Sequence, residues 1–154
     1  MYGIFKSVIY ISMPYKTKFV PLNKEKYVGD VEKIMCKSLW ERKLCKYFDV
    51  QDSVIKWCYE CVKIPYMSPI DKKKHTYYPD FMVMLREKTG DIKTIIVEVK
   101  PEKQTKEPVN KKKKSYKNEL VTFLINEAKW KAAKNVCNCN EWDFKLLTEK
   151  TLFR

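Results

Sequence analysis

The sequence predicts an α/β fold with a central mixed β-sheet flanked by helices, and three observations carry that expectation. Two stretches with helical periodicity, near residues 38–49 and 116–136, lie on either side of the most strand-like part of the chain. Within that part, residues 77–100 form two runs of β-formers split by the turn signal Glu87-Lys88-Thr89-Gly90-Asp91, which reads as a hairpin. Finally, the weakly alternating Trp142-Asp143-Phe144-Lys145-Leu146-Leu147 supplies a last strand after the second helix.

Residues 1–30 carry Pro14, Pro21 and Gly29 among aromatics and lysines, and read as an extended arm that lies over the domain or faces a partner. A single domain over 31–154 follows. Lys33-Ile34-Met35-Cys36 is a short strand candidate. In Ser38-Leu39-Trp40-Glu41, Ser38 suits a helix N-cap and Glu41 the carboxylate that reaches back to it. Trp40, Leu44, Tyr47 and Phe48 continue at helical spacing to an end near Asp49. Residues 54–66 read as one strand stopping at Pro65, and 67–74 as a polar, basic loop leading into the hairpin. Residues 101–115, with two prolines and the run Lys111-Lys112-Lys113-Lys114, lose all apolar periodicity and read as a mobile basic loop. Leu120, Phe123, Leu124, Ala128, Lys131 and Ala132 mark a helix over about 116–136, with Trp130 at its side.

The chain has 154 residues, enough to bury a core as one domain. Its net charge of +13 comes almost wholly from lysine, since Arg42, Arg86 and Arg154 are its arginines. Such an excess suits a polyanion, nucleic acid above all, and phosphate contact rather than bidentate base reading. Of the six cysteines, Cys58-x-x-Cys61 and Cys137-x-Cys139 could offer four thiolates, with Cys36 and Cys45 left over. The first pair sits in a strand-like run without a knuckle glycine or proline, and the second is too closely spaced for an ordinary zinc site. Buried free thiols in a reducing cytosol are the expectation. Residues 1–13 are interrupted by Lys6 and have no small-residue cleavage site, so they do not read as a signal peptide. No apolar run approaches the roughly 20 residues that span a bilayer.

The hairpin is where chemistry concentrates. A three-residue loop, 88–90, sets Asp80 opposite Glu98, whereas a loop centred on Gly90 sets it opposite Lys100. In both cases Asp80, Glu98 and Lys100 share one face. A two-residue Thr89-Gly90 loop would instead set Asp80 opposite Val99, on the wrong face unless a bulge intervened. Two carboxylates and an ammonium on a strand pair built for burial need a cation or a substrate to resolve them. Phosphodiester hydrolysis supplies that need: Mg²⁺ takes one or two carboxylates and keeps several waters. Asp80 and Glu98 are the candidate ligands, with the backbone carbonyl of Val99 as a further one. Lys100 could orient or deprotonate the attacking water, or stabilise the pentavalent phosphate. The bland alternative is a cross-strand salt bridge between Asp80 and Lys100.

Pro79-Asp80 followed by Glu98-Val99-Lys100 resembles the PD-(D/E)xK nuclease signature, and the element order resembles the restriction-endonuclease-like core of that superfamily. Within it, the chain is similar to the head completion nucleases of T-even-type tailed phages. The similarity runs through Lys33-Ile34-Met35-Cys36-Lys37-Ser38-Leu39-Trp40-Glu41, Ile64-Pro65-Tyr66-Met67-Ser68-Pro69 and Tyr78-Pro79-Asp80-Phe81. It continues in Glu98-Val99-Lys100-Pro101-Glu102-Lys103-Gln104 and Glu127-Ala128-Lys129-Trp130-Lys131-Ala132-Ala133, and ends in Trp142-Asp143-Phe144-Lys145-Leu146-Leu147-Thr148-Glu149. Transposon-end endonucleases share the Tyr-x-Pro-Asp-Phe and Glu-Val-Lys-Pro elements.

The resemblance implies that Asp80 and Glu98 hold the metal, that Lys100 is the catalytic lysine, and that Glu41 is an additional acidic residue of the site. It implies Mg²⁺, with Mn²⁺ as a substitute, and a DNA substrate whose ends are processed at the filled head. Gln104 falls where relatives place a polar residue facing phosphate. His75 is a candidate phosphate contact or an ordinary loop histidine, and Glu60 a surface carboxylate beside the acidic cluster. The chain departs from its relatives at Cys36-Lys37, where they carry an aromatic and an arginine, which puts a phosphate-clamping role at Lys37 in doubt. Lys103 and the run Lys111, Lys112, Lys113 and Lys114 are candidates for sequence-independent DNA contact. The implied partners are DNA and the phage portal or head–neck proteins, with no membrane. The implied location is the host cytoplasm during infection, with association with the virion. Two rival functions are a non-catalytic DNA-binding assembly protein on a nuclease fold and a transposon-end-type endonuclease.

Overall fold

The computed structural model describes residues 15–152. Four strands form the central mixed sheet: β3 (Val54–Tyr59), β6 (Phe81–Arg86), β7 (Ile92–Val99) and β8 (Asp143–Leu147), in the order β3-β6-β7-β8. β6 is antiparallel to both β3 and β7, and β8 pairs parallel to β7. A parallel neighbour needs a crossover connection, and α2 (Tyr116–Asn140) supplies it.

Helix α1 (Leu39–Val50) and the loop before it cover one face, where Leu44, Cys45, Phe48, Trp57, Phe81, Val83, Val97 and Val99 form the larger core cluster. On the other face, Trp130 and Ala133 of α2 pack with Ile64, Tyr77, Phe144 and Leu146. β-Strand alternation explains the division: Val97 and Val99 point to the α1 side, so the intervening Glu98 must point away from it.

Residues 15–30 are laid over the domain. β1 (Thr17–Lys18) pairs with β2 (Met35–Cys36), and Tyr27 bridges to Trp57 on the free edge of β3, where Val28 N–H donates to the Trp57 carbonyl at 2.9 Å. That coverage hides an edge strand from stray pairing. The buried Asp49, at the end of α1, fastens the segment by accepting from the Leu22 and Asn23 amides at 2.8 and 3.1 Å. The first fourteen residues of the arm lie outside the described residues.

Several sequence expectations need correction. The single strand over 54–66 is two strands in different sheets: β3 ends at Tyr59, and β4 (Ile64–Met67) pairs with β5 (Lys74–Tyr77) in a separate ribbon. The break is Glu60, whose φ of 48° turns the chain left-handed without a glycine to announce it. The same turn brings Cys58 and Cys61 to a Cα separation of 5.9 Å and joins them in a disulfide, so these two are not free thiols. Cys36, Cys45 and Cys137 are free and buried, while Cys139 is free and exposed.

Residues 67–74, expected as a loop leading into the main hairpin, instead close the β4–β5 ribbon and contribute its last position, Lys74. The buried face of α2 is rotated from the one read in the sequence, whereas α1 keeps Leu44 and Phe48 inside as expected and differs at its margins. In α1, Cys45 and Asp49 are buried while Tyr47 is exposed. In α2, Asn126, Trp130, Ala133 and Cys137 are buried while Leu124 is open. α2 runs four residues past Val136, to Asn140, and it also meets the 3-10 turn Glu102–Gln104. That turn gives part of the 101–115 segment a defined structure, and Lys113 pairs with Glu119 at 2.6 Å. A short helix, α3 (Glu149–Leu152), closes the described chain.

Candidate active site

Register decides whether the hairpin can assemble a site. Phe81 pairs with Val97 and Arg86 with Ile92, so the β6–β7 register is centred on Thr89. Asp80 is the residue just before β6, and the same register carried one step beyond the ladder would set it across from Glu98. The loop is the three-residue one, 88–90, closed by Glu87 N–H to the Asp91 carbonyl at 2.8 Å and by Gly90 N–H to the Glu87 carbonyl at 2.9 Å. Gly90 has φ 92°, the left-handed position that such a loop requires.

The two carboxylates are deeply placed: Glu98 is 3% exposed and Asp80 8%. Asp80 Oδ2 accepts from the Val99 amide at 2.8 Å, while its own carbonyl accepts from Glu60 N–H at 2.9 Å. Glu98 is held at both oxygens, by Tyr77 O–H at 2.6 Å and by the Lys100 ammonium at 2.8 Å. The expected cross-strand alternative, Asp80 with Lys100, is therefore replaced by a Glu98–Lys100 pair along one strand. Glu41 reaches the same place from α1. Its amide donates to Ser38 Oγ at 3.1 Å, and its carboxylate accepts from Lys37 N–H at 2.8 Å, Ser38 O–H at 3.0 Å and Tyr59 O–H at 2.6 Å. Glu41 thus closes a variant of the capping box, reaching the Lys37 amide one residue before the Ser38 N-cap, and lines the cleft at once.

That cleft, about 350 Å³, is lined by Lys37, Glu41, Glu60, Thr76, Tyr77, Tyr78, Asp80, Glu98, Lys100 and Lys129. Its electrostatics follow from crowding like charges in a dry place. Burial first, and then the Glu98 charge, push the Asp80 carboxyl up to about 8, against the lowering effects of Lys100 and the Val99 amide. For Lys100 burial alone would favour the neutral amine, but Glu98 and Asp80 together outweigh it and the net shift is upward. Paired with Glu98, Lys100 is an ammonium suited to orienting a nucleophile or stabilising negative charge. Burial raises both Tyr77 and Tyr59 far above ordinary phenols, reinforced by the carboxylates they hold, so each stays a donor.

The donor set fits a hard divalent cation. Asp80 and Glu98 present buried oxygens to one cleft, and the repulsion that raises Asp80 is what a cation would relieve. Among the described residues no group of three or more His, Cys, Asp or Glu side chains forms a ready metal cage. A two-carboxylate site completed by water is the form left open, and Mg²⁺ commonly takes it.

Other sequence-predicted residues are placed elsewhere. Gln104 and Lys103 line a different cleft with Lys106, Lys113 and Phe123, between the Glu102–Gln104 turn and α2. His75 is on the β4–β5 ribbon, paired with Asp71 at 2.8 Å, and does not line the Asp80 cleft. Lys111, Lys112 and Lys114 are exposed, and Lys113 is held by Glu119. Val99 is not among the residues that line the Asp80 cleft, and the contact it makes there is through its amide, which donates to Asp80 Oδ2. Lys37 faces the cleft but is engaged by Glu60 at 2.5 Å.

The cleft also holds a residue that the helical periodicity did not single out. Lys129 of α2 lines it, with its ammonium 5.8 Å from the Tyr66 ring centre and 5.7 Å from that of Tyr77. It follows the buried Asn126 by three positions and precedes the buried Ala133 by four, and that spacing was the available signal.

Restriction-endonuclease-like architecture and this cleft define a nuclease, and the comparisons with known proteins agree. The sequence profile described as TnsA-like endonuclease, N terminal, matches residues 51–149, and the chain belongs to that family. The head completion nuclease of Enterobacteria phage T4 is 34% identical to it over 146 residues, covering 91% of this chain and 95% of that protein. No solved structure matches.

Proposed function

We propose that this nuclease is a Mg²⁺-dependent DNA endonuclease that processes DNA ends during phage head completion, with Mn²⁺ able to substitute. The observation that carries the reading is the buried Asp80–Glu98 pair with Lys100 beside it, opening into one cleft. In this reading Asp80 and Glu98 hold the cation, joined by the Val99 carbonyl and, through water, by Glu41. When bound, the cation acidifies a water and neutralises charge on the phosphate. Lys100 orients the attacking group and meets the developing negative charge. Tyr77 and Tyr59 keep the Glu98 and Glu41 carboxylates aimed into the cleft.

The excess of lysine supports a DNA substrate bound through phosphates, without sequence preference. Lys103, Gln104 and Lys111, Lys112, Lys113 and Lys114 would meet DNA flanking the cut, on the side of the second cleft. His75, outside both clefts, is the weakest of the proposed contacts. Among the described residues no helix is long and apolar enough to cross a membrane. Head completion, rather than transposon-end cutting, is favoured by the nearly full-length likeness to the phage T4 protein. The portal or head–neck proteins are the partners that follow, and the infected host's cytoplasm or the virion the place of action.

The test is a panel of linear blunt, overhanging, branched and single-stranded DNAs incubated with purified protein and Mg²⁺ or Mn²⁺. Cleavage at or near ends is expected. Binding without cleavage of any of them would instead support a DNA-binding assembly protein that keeps only the fold.

A further inference from the structure

We infer that Lys129, held over the rings of Tyr66 and Tyr77, forms a second phosphate subsite of the cleft and takes a backbone phosphate of the bound strand next to the one under attack. The inference rests on the nuclease reading above and extends it to the α2 wall of the cleft.

Three ammonium groups line this cleft, and two are matched by carboxylates. Lys37 pairs with Glu60, and Lys100 with Glu98. Among the described residues Lys129 has no carboxylate at ion-pair distance, and its contacts are the two tyrosine faces. It is half-buried, on a part of α2 that packs against the core. A half-buried cation with no carboxylate at ion-pair distance, facing a cavity, is a place prepared for an anion.

Its surroundings fix it there. Tyr77 is itself locked through its hydroxyl to Glu98, so the ring under Lys129 cannot swing away without releasing a carboxylate of the site. Aromatic faces hold an ammonium without neutralising it, leaving its charge for a ligand. Burial, and then the nearby Lys100 charge, shift the Lys129 ammonium toward the neutral form against the opposing pull of Glu98 and Asp80, and a phosphate oxygen arriving between the two lysines would relieve the Lys100 repulsion. α2 and the β6–β7 hairpin thus grip one strand from two sides, with Lys100 at the reacting phosphate and Lys129 at its neighbour.

The experiment measures binding of a short DNA duplex over a salt series, in EDTA, with all variants carrying Asp80→Ala so that no cleavage intervenes. Lys129→Met, which keeps the aliphatic stem over the rings, should weaken binding roughly tenfold at low salt and flatten the log–log salt slope by about 0.9, the share of one duplex phosphate. Lys129→Arg should restore most of both. Lys131→Met, on the exposed side of the same helix, should leave the slope unchanged. An unchanged slope in Lys129→Met, or an equal loss in Lys131→Met, overturns the subsite. Because the readout is binding, it stands apart from the cleavage panel: a wild-type protein that cuts nothing sinks the nuclease reading, and the slope still decides Lys129.

Discussion

In the proposed mechanism, Asp80 is where the chemistry and the stability of this protein meet. Its carboxyl is held at about 8 in the folded chain, against 3.8 for an ordinary aspartate, because it is buried beside Glu98. The folded state therefore binds a proton that the unfolded state has already lost over the interval between those values. The stabilisation from protonated Asp80 is complete below about 3.8 and is lost as pH rises to about 8. Without divalent cation, the thermal midpoint of the wild-type protein should fall across this window, whereas that of Asp80→Asn should stay nearly level. Added Mg²⁺ should raise the wild-type midpoint most at the alkaline end, where the carboxylate is ionised, and leave Asp80→Asn nearly unmoved. Parallel curves for the two proteins in differential scanning fluorimetry would show that Asp80 is not the proton-binding group. The sharing of one face by Asp80, Glu98 and Lys100 was readable from alternation and an odd loop. The identity of the salt-bridge partner was not, because it depends on which rotamer of Lys100 reaches Glu98 rather than Asp80.

At the scale of elements, the hairpin loop is the part on which the site depends. Its three residues centre the register on Thr89, and the left-handed Gly90 makes that length possible. Inserting one residue between Lys88 and Thr89 would move the pairing by one position or force a bulge, and a one-residue slip exchanges the faces of a strand. The insertion should leave the far-UV circular dichroism close to wild type while cleavage falls by roughly 10²-fold or more, as expected when reacting groups are displaced. Retained cleavage would mean that Asp80 and Glu98 need not face each other. The turn was legible because Gly90 and its polar neighbours mark it in the sequence, but the register was not, since loops setting Asp80 opposite Glu98 or opposite Lys100 fit equally until the pairing centred on Thr89 decided. The division of 54–66 into two strands was not, since Tyr59-Glu60-Cys61 has the composition of a strand and turns only through a left-handed glutamate. Nor was the buried face of α2, because tertiary contacts set it. The buried positions of α2 are Asn126, Trp130, Ala133 and Cys137 rather than its early leucines, and Lys129 is carried to the cleft beside them.

The whole molecule combines a small sheet, one main helix on each face and a positive charge of +13. The two faces bring different groups to the same end of β7: α1 brings Glu41 and the loop before it Lys37, whereas α2 brings Lys129 and β5 brings Tyr77. Element order and the final strand after the second helix were expected from the sequence pattern and its resemblance to known nucleases. The separate β4–β5 ribbon, which carries the two aromatic rings around Lys129, had no such signal. In the proposed mechanism one cation-binding pair of carboxylates, Asp80 and Glu98, does the cutting. That mechanism is tested most directly by cleavage of linear duplex DNA by wild-type protein and Asp80→Ala, each in Mg²⁺ and in EDTA. Wild type should cut in Mg²⁺ and stop in EDTA, and Asp80→Ala should lose roughly 10³-fold in rate, about 4 kcal/mol of transition-state stabilisation, while remaining folded. Full cleavage by Asp80→Ala, or by wild type in EDTA, would contradict it.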